Sequence, residues 1–408
     1  MSKIVITGMG AVTPIGIGVD TYWENLIAGK SGIEKIQSFD VSDLAVQIAG
    51  EVKDFNPADY LPKDVVRKTD AFMQYAYIAA EEALKQADLE INPERTGIIM
   101  GTAMSGISTI AFTQEALTGA SHKKVGPRFI PKILGNIAAA NIAIAHNIQG
   151  PSYTVSTACS SGGDAINQAA MLIKAGKADV MLAVGAESAH CPIFIYSLAN
   201  AKALSRNNDE PQKASRPFDE ARDGFVAGEG GGAIVLETEE HAKARGAKII
   251  GELVACGNTC DAYHVTAPHP EGRGAIACMR QALAEGNLKP EDIGYINAHG
   301  TSTPKGDEVE THSVLEVFGD NPPLVSSTKG ATGHMMGAGG VTEVIACIKS
   351  IETGIVPPTI NLDNPIPDTG IDFVPNVARH TEIKYAMSNA FGFGGQNSSV
   401  IVGRYEDK

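Results

Sequence analysis

Aromatic side chains are scarce in this 408-residue chain, at 6%, and basic residues are outnumbered, 33 Lys and Arg against 47 Asp and Glu. The formal charge of −14 counts against nucleic acid or an anionic membrane as the principal partner, since either needs a positive field. No run approaches the roughly 20 apolar residues of a membrane span, and no lipidation signal is present. Met1, Ser2 and Lys3 pass at once into Ile4, Val5 and Ile6 without a basic leader or cleavage site, the pattern expected of a cytoplasmic protein. The six cysteines, at 159, 191, 256, 260, 278 and 347, form no CxxC pair, so reduced thiols are expected rather than a disulfide framework. HExxH and the Cys/His spacings of zinc sites are missing as well.

What is present suits a large α/β enzyme. Hydrophobic residues make up 43% of the chain and glycine occurs 44 times, which fits a core beyond one simple domain and many tight strand-to-helix turns. Short apolar runs at 3–7, 97–101, 153–156, 180–185, 250–257, 294–297, 324–327 and 385–388 alternate with helical spacing at 70–85, 164–174 and 341–351. That alternation predicts mainly parallel sheets with crossover helices. Residues 205–232 and 354–375 lack periodicity and read as long, functional loops.

The second half echoes the first. Val155-Ser-Thr-Ala-Cys159 is matched by Val325-Ser-Ser-Thr-Lys329, and Glu94-Arg-Thr-Gly97 by Glu291-Asp-Ile-Gly294. Each is an equivalent strand boundary, and the order suggests duplication of one α/β unit, divided here into halves 1–249 and 250–408.

Four stretches carry the chemistry: Ser156-Thr-Ala-Cys159, Asn297-Ala-His299-Gly-Thr-Ser-Thr303, Ser327-Thr-Lys329-Gly-Ala-Thr-Gly-His334 and Asn389-Ala-Phe391-Gly-Phe393-Gly-Gly395. Each begins where an apolar run ends, and ligand sites of α/β sheets lie at such carboxyl ends. Cys159 precedes a helix start near Gly162, where exposed backbone N–H groups favour thiolate, although a lone Cys in apolar sequence is more often a packing residue. Neutral His299 and His334 could donate to a carbonyl as charge develops on its oxygen; read separately, each suits a structural role. Lys329 is either a tuning charge or a lysine reaching solvent. Three motifs are set aside: Gly8-Met-Gly10 lacks the third glycine of a dinucleotide fingerprint, Ser326-Ser-Thr-Lys329 has no following KTG, and Gly228–Gly232 lacks the GK[ST] of a phosphate loop.

Together these residues resemble the elongating β-ketoacyl-acyl carrier protein synthases, most closely the type II synthase of bacterial fatty-acid synthesis. Added signposts are Val5-Ile-Thr-Gly-Met-Gly10, Arg216-Pro-Phe-Asp219, Arg222-Asp-Gly-Phe225, Thr332-Gly-His334 and Gly392-Phe-Gly-Gly395. The resemblance spans nearly the whole chain and implies the thiolase fold, two duplicated α/β halves in a five-layer αβαβα arrangement, usually as a homodimer. It implies that Cys159 accepts an acyl chain from acyl carrier protein, and that His299 and His334 support decarboxylation of malonyl-carrier protein. Lys329 would support the histidines, while Phe393 would gate the pocket and, with Cys159, supply oxyanion N–H groups. Thr301 and Thr303 would line the tunnel for phosphopantetheine, which arrives on the carrier, so no cofactor of the enzyme's own is expected. Ile107, Phe129 and Phe391 would contact substrate, and Lys63, Arg67 and Lys68 would receive the acidic carrier. Asn297, Glu343, Ser388 and Asn389 resemble a monovalent-cation site.

Arg128, in Gly126-Pro-Arg-Phe-Ile-Pro131, stands where an aromatic residue is expected near the acyl pocket, which leaves chain length open. A type II polyketide or aryl-polyene ketosynthase shares every catalytic residue named. A non-catalytic chain-length partner subunit would lack Cys159. Priming or chalcone-type enzymes would pair Cys with His and Asn, and degradative thiolases would use a second Cys.

Overall fold

The computed structural model describes residues 3–118 and 125–407. Ten strands longer than two residues occur among them: β1 Ile4–Thr13, β2 Thr96–Gly101, β3 Ser152–Val155, β4 Val180–Glu187, β5 Gly230–Thr238, β6 Gly251–Cys260, β7 Ile293–Asn297, β8 Leu324–Ser326, β9 Tyr385–Gly392 and β10 Gln396–Gly403. In space they run β8-β7-β9-β10-β6 and then β1-β5-β4-β2-β3. Numbering each set of five from its own first strand gives one order twice, 1-5-4-2-3. The pairings repeat too: β2 is parallel to β3 and β4, β7 to β8 and β9, and the remaining pairs within each set are antiparallel. Both sequence echoes fall on equivalent strands, at the ends of β3 and β8 and the starts of β2 and β7. Duplication is therefore written in the topology.

Four helices complete the layers: α1 Ala71–Ala87, α2 Ser161–Lys174, α3 Arg273–Glu285 and α4 Gly339–Thr353. Helix α1 packs on β1, β4 and β5, and α3 on β6 and β10, while α2 and α4 meet each other between the sheets. This is the five-layer αβαβα thiolase arrangement. The two sheets touch only along a short antiparallel seam, Ile4–Ile6 against Gly251–Leu253.

The expectation of mainly parallel sheets is corrected: β5 and β10 are antiparallel strands that sequence periodicity did not reveal, and 230–232 belongs to β5 rather than to a loop. Glycine is required there because helices cover both faces of the strand. A Cβ on Gly231 would press on Tyr75 of α1, and one on Gly232 on Val341 and Thr342 of α4. Gly8 and Gly10 have the same cause. Side chains there would collide with the carbonyls of Ala83 and Ala79, so this GxG serves helix-on-strand packing, not a dinucleotide.

Candidate active site

Cys159 follows β3 in a short 3-10 turn, Ala158–Ser160. The preceding residue, Ala158, is left-handed at φ 51, and this bend presents the thiol at the N-terminal end of α2. His299 follows β7, while His334 follows β8 and the helical turn Lys329–Thr332. Phe393 lies in the turn joining β9 to β10. Helices α2 and α4 start side by side, so the strand ends of both halves meet there.

One ligand-capable atom from each of Cys159, His299 and His334 lies within 4.8 Å of the others. The two imidazoles stand perpendicular at 88°, with centroids 5.3 Å apart. Phe225 packs edge-on against His334, and Phe391 flanks His299. Burial, reinforced by Lys329, holds both imidazoles well below the ordinary histidine range, so both are neutral. Lys329, itself fully buried, reaches Glu343. Burial raises the Glu343 carboxyl while the Lys329 ammonium draws it down.

The thiolate-favouring groups expected at the helix start are opposed by burial. Burial pushes the Cys159 thiol up to about 11, outweighing hydrogen bonding to the sulfur from the Phe393 and Cys159 N–H groups and the nearby Lys329 charge. Burial thus favours the thiol over the thiolate at Cys159, and neutral imidazoles stand beside it that can take up its proton. The same two backbone N–H groups converge beside the sulfur, an arrangement chemically able to donate to an oxygen on which charge develops.

Phe393 is 41% exposed on a turn with Gly394 and Gly395 at φ 87 and 72, a conformation glycine adopts without strain. Thr301 and Thr303 share a hydroxyl hydrogen bond of 3.0 Å. Thr303 sits at the N-cap of Pro304–Phe318 without a side-chain capping bond. Ile107 packs against the apolar cluster containing Cys159, Cys191, Phe194, Ile195, Phe225 and Met336. Phe129 is placed elsewhere, in a groove of about 650 Å³ with Arg67, Asp70, Phe112, Arg128 and Lys132. Lys63, Arg67 and Lys68 are exposed on the short helix Lys63–Lys68, where Lys68 pairs with Asp64 at 2.9 Å. Asn297 pairs in register with Ser388 and is fully buried with both amide atoms lacking a partner. Asn389 accepts from Ser399.

Glu310 escaped the sequence reading. Its buried carboxylate accepts from the N–H groups of His299 and Gly300 at 2.8 and 2.7 Å, and burial raises it to about 7. Glu187 similarly gathers the N–H groups of Ala103, Met104 and Gly337, bracing the turn beside Cys159. Neither lies in a motif; each is recognisable only from the backbone it holds.

The profile of the β-ketoacyl synthase N-terminal domain matches residues 1–242 and that of its C-terminal domain residues 250–363. The chain is 46% identical to the 3-oxoacyl-[acyl-carrier-protein] synthase 2 of Vibrio cholerae over 98% of this chain and 99% of that one. It is 42% identical to the like-named Staphylococcus aureus protein over 99% of each. Among solved structures, the ishigamide ketosynthase/chain length factor aligns at TM-score 0.93 and 34% identity, covering 99% of this chain and 100% of that one. A type II PKS acyl-carrier protein complex with its ketosynthase aligns at 0.89 and 31%, again covering 99% and 100%. The matching profiles and full-length relatives share one conclusion with the Cys-His-His geometry: the chain belongs to the β-ketoacyl synthase family.

Proposed function

We propose that the protein is a 3-oxoacyl-[acyl-carrier-protein] synthase that extends fatty-acyl chains by decarboxylative Claisen condensation. The convergence of Cys159, His299 and His334 within 4.8 Å, under N–H groups of Cys159 and Phe393, carries this reading. Cys159 sulfur attacks the acyl-carrier thioester, its proton passes to the imidazole pair, and the carrier thiol leaves. Malonyl-carrier then enters. Loss of carbon dioxide leaves an enolate whose oxygen accepts hydrogen bonds from His299 and His334. The enolate carbon attacks the Cys159 thioester, releasing 3-oxoacyl-carrier and a Cys159 thiolate that takes up one proton from solvent to restore the thiol.

Phosphopantetheine enters past Thr301 and Thr303, and the synthase needs no cofactor of its own. Asn297, with its unpartnered buried amide, Ser388, Asn389 and Glu343 fit a monovalent cation, which would hold the strand ends beneath the histidines. The two halves divide near residue 249. Carrier protein lands on Lys63, Arg67 and Lys68. A second copy of the chain pairs along β3, the sheet edge where Ser152 and Tyr153 are exposed, beside the exposed Ile144 of the neighbouring helix Asn136–His146; open edge strands of this kind template pairing. No described helix is long and apolar enough to cross a membrane, and six free cysteines suit a cytoplasmic location.

The structural likeness to the ishigamide and type II PKS ketosynthases supports a polyketide or polyene ketosynthase as second reading, at 34% and 31% identity against 46%. Intact-mass analysis with acyl-carrier and malonyl-carrier proteins separates the outcomes. Acylation of Cys159 followed by 3-oxoacyl-carrier formation supports condensation, while an unmodified Cys159 with every acyl donor defeats both readings.

A further inference from the structure

We propose that Cys159, His299 and His334 of the unacylated protein form a three-ligand site for a soft divalent metal ion of the zinc class, whose binding reversibly blocks the enzyme and is prevented by acylation of Cys159. Zinc sites combine thiolate and imidazole donors at about 2.3 and 2.0–2.1 Å, leaving an open fourth position where three protein ligands bind. Tetrahedral geometry with those lengths separates neighbouring donors by roughly 3.3–3.6 Å. The donors here lie within 4.8 Å of one another, so modest side-chain rotation brings all three onto one ion.

Their hydrogen bonding points the same way. Both ring nitrogens of His334 and Nδ1 of His299 are buried without a partner among the described residues, whereas buried polar atoms are normally paired. Ligation through any of these three nitrogens therefore breaks no internal hydrogen bond. The Lys329 ammonium opposes a second cation, but its charge is matched by Glu343. Sequence spacing could not reveal the set, because its members follow three different strands.

Binding is a proton exchange without redox change: the Cys159 S–H bond breaks, an S–metal bond forms, and one proton leaves to solvent. The ion occupies the thiolate lone pair that attacks the acyl donor. Once Cys159 is a thioester its sulfur carries no charge and no longer competes for the metal. Zinc should thus compete with acyl-carrier and leave the step with malonyl-carrier untouched. This kinetic part rests on the acyl-acceptor role proposed for Cys159; the binding part does not.

The test titrates metal-free wild-type protein with zinc chloride against a chromophoric chelator, with proton release followed in weak buffer. One tightly bound ion per chain is expected, with about one proton released. Cys159→Ser and His334→Ala should each weaken binding at least about 100-fold, beyond the loss typical of outer-sphere partners, while Cys260→Ser, at an exposed thiol, leaves it unchanged. Circular dichroism confirms the fold of each variant, and the conservative serine variant carries the test if His334→Ala unfolds. No stoichiometric zinc binding, or wild-type affinity in Cys159→Ser, overturns the site. Stoichiometric binding by a protein that no acyl donor acylates keeps the site and removes the function proposed above.

Discussion

Gly162 and Gly340 touch where α2 and α4 begin: a Cβ built on either would lie 3.2 Å from the other's Cα. The contact joins equivalent helices of the two halves and sets the separation between Cys159 and His334. Gly340→Ala would also press a methyl against the Gly163 nitrogen. It should destabilise the protein by about 1–3 kcal/mol, the range for overpacking, and slow acylation while the chain still folds. Denaturant midpoint and acyl-enzyme formation by intact mass measure the two effects, and unchanged values for both would remove this contact as a positioning device.

The buried pair Lys329–Glu343 predicts a non-additive double-mutant cycle. Lys329→Met leaves a buried carboxylate without its counter-charge and should cost about 3–5 kcal/mol. Adding Glu343→Met replaces the pair with apolar volume and should recover most of that loss. Malonyl decarboxylation should stay slower than in the wild type in the double variant, because burial alone then holds the imidazoles neutral, without the Lys329 charge that reinforces it. Full recovery of decarboxylation would reduce Lys329 to a structural residue.

Much of this site was legible because its residues lie at strand ends, where small and hydroxyl side chains interrupt apolar runs. Cys159, His299, His334 and Phe393 each occupy such a break, and the echo of 155–159 in 325–329 marks equivalent positions. Gly230–Gly232 misled because a strand clasped between two helices needs residues without side chains, which imitates a loop. Ser398 and Ser399 hid β10 in the same way: they are buried polar residues, and Ser399 is satisfied by Asn389 across the hairpin. The burial of Cys159 was not legible for a different reason. A helix start is visible in sequence, but the burial that outweighs it arises only when the halves close over the thiol.

That burial makes a pH prediction. With the Cys159 pKa raised to about 11, thiolate is the minor form at neutral pH and its fraction grows about tenfold per pH unit. In a Cys260→Ser background, alkylation of Cys159 by iodoacetamide should rise log-linearly from pH 7 to 10 and bend only near 11. The imidazoles, lowered well below 6.5, remain neutral in mild acid, so decarboxylation should show no acid limb near that value. A bend in alkylation near pH 7 would show that helix and N–H stabilisation of the thiolate exceeds the effect of burial.

Substitution of Arg128 would separate carrier recognition from chain selection. It stands exposed on the groove shared with Arg67 and Lys132, outside the apolar cluster around Cys159, and among the described residues these three cations form no ion pair. In a chain of net charge −14 such a groove is a local positive field for an acidic partner. Arg128→Phe should therefore leave the chain-length distribution of products unchanged. It should lower kcat/KM for carrier-bound substrates about three- to tenfold at low salt, with the deficit shrinking as salt screens the field. Acyl-pantetheine, which lacks the carrier's acidic surface, should react equally with both proteins. A shift toward shorter or longer products with an unchanged carrier KM would place Arg128 against the acyl chain, as its position in the Gly126–Pro131 motif first suggested, and would remove it from carrier recognition.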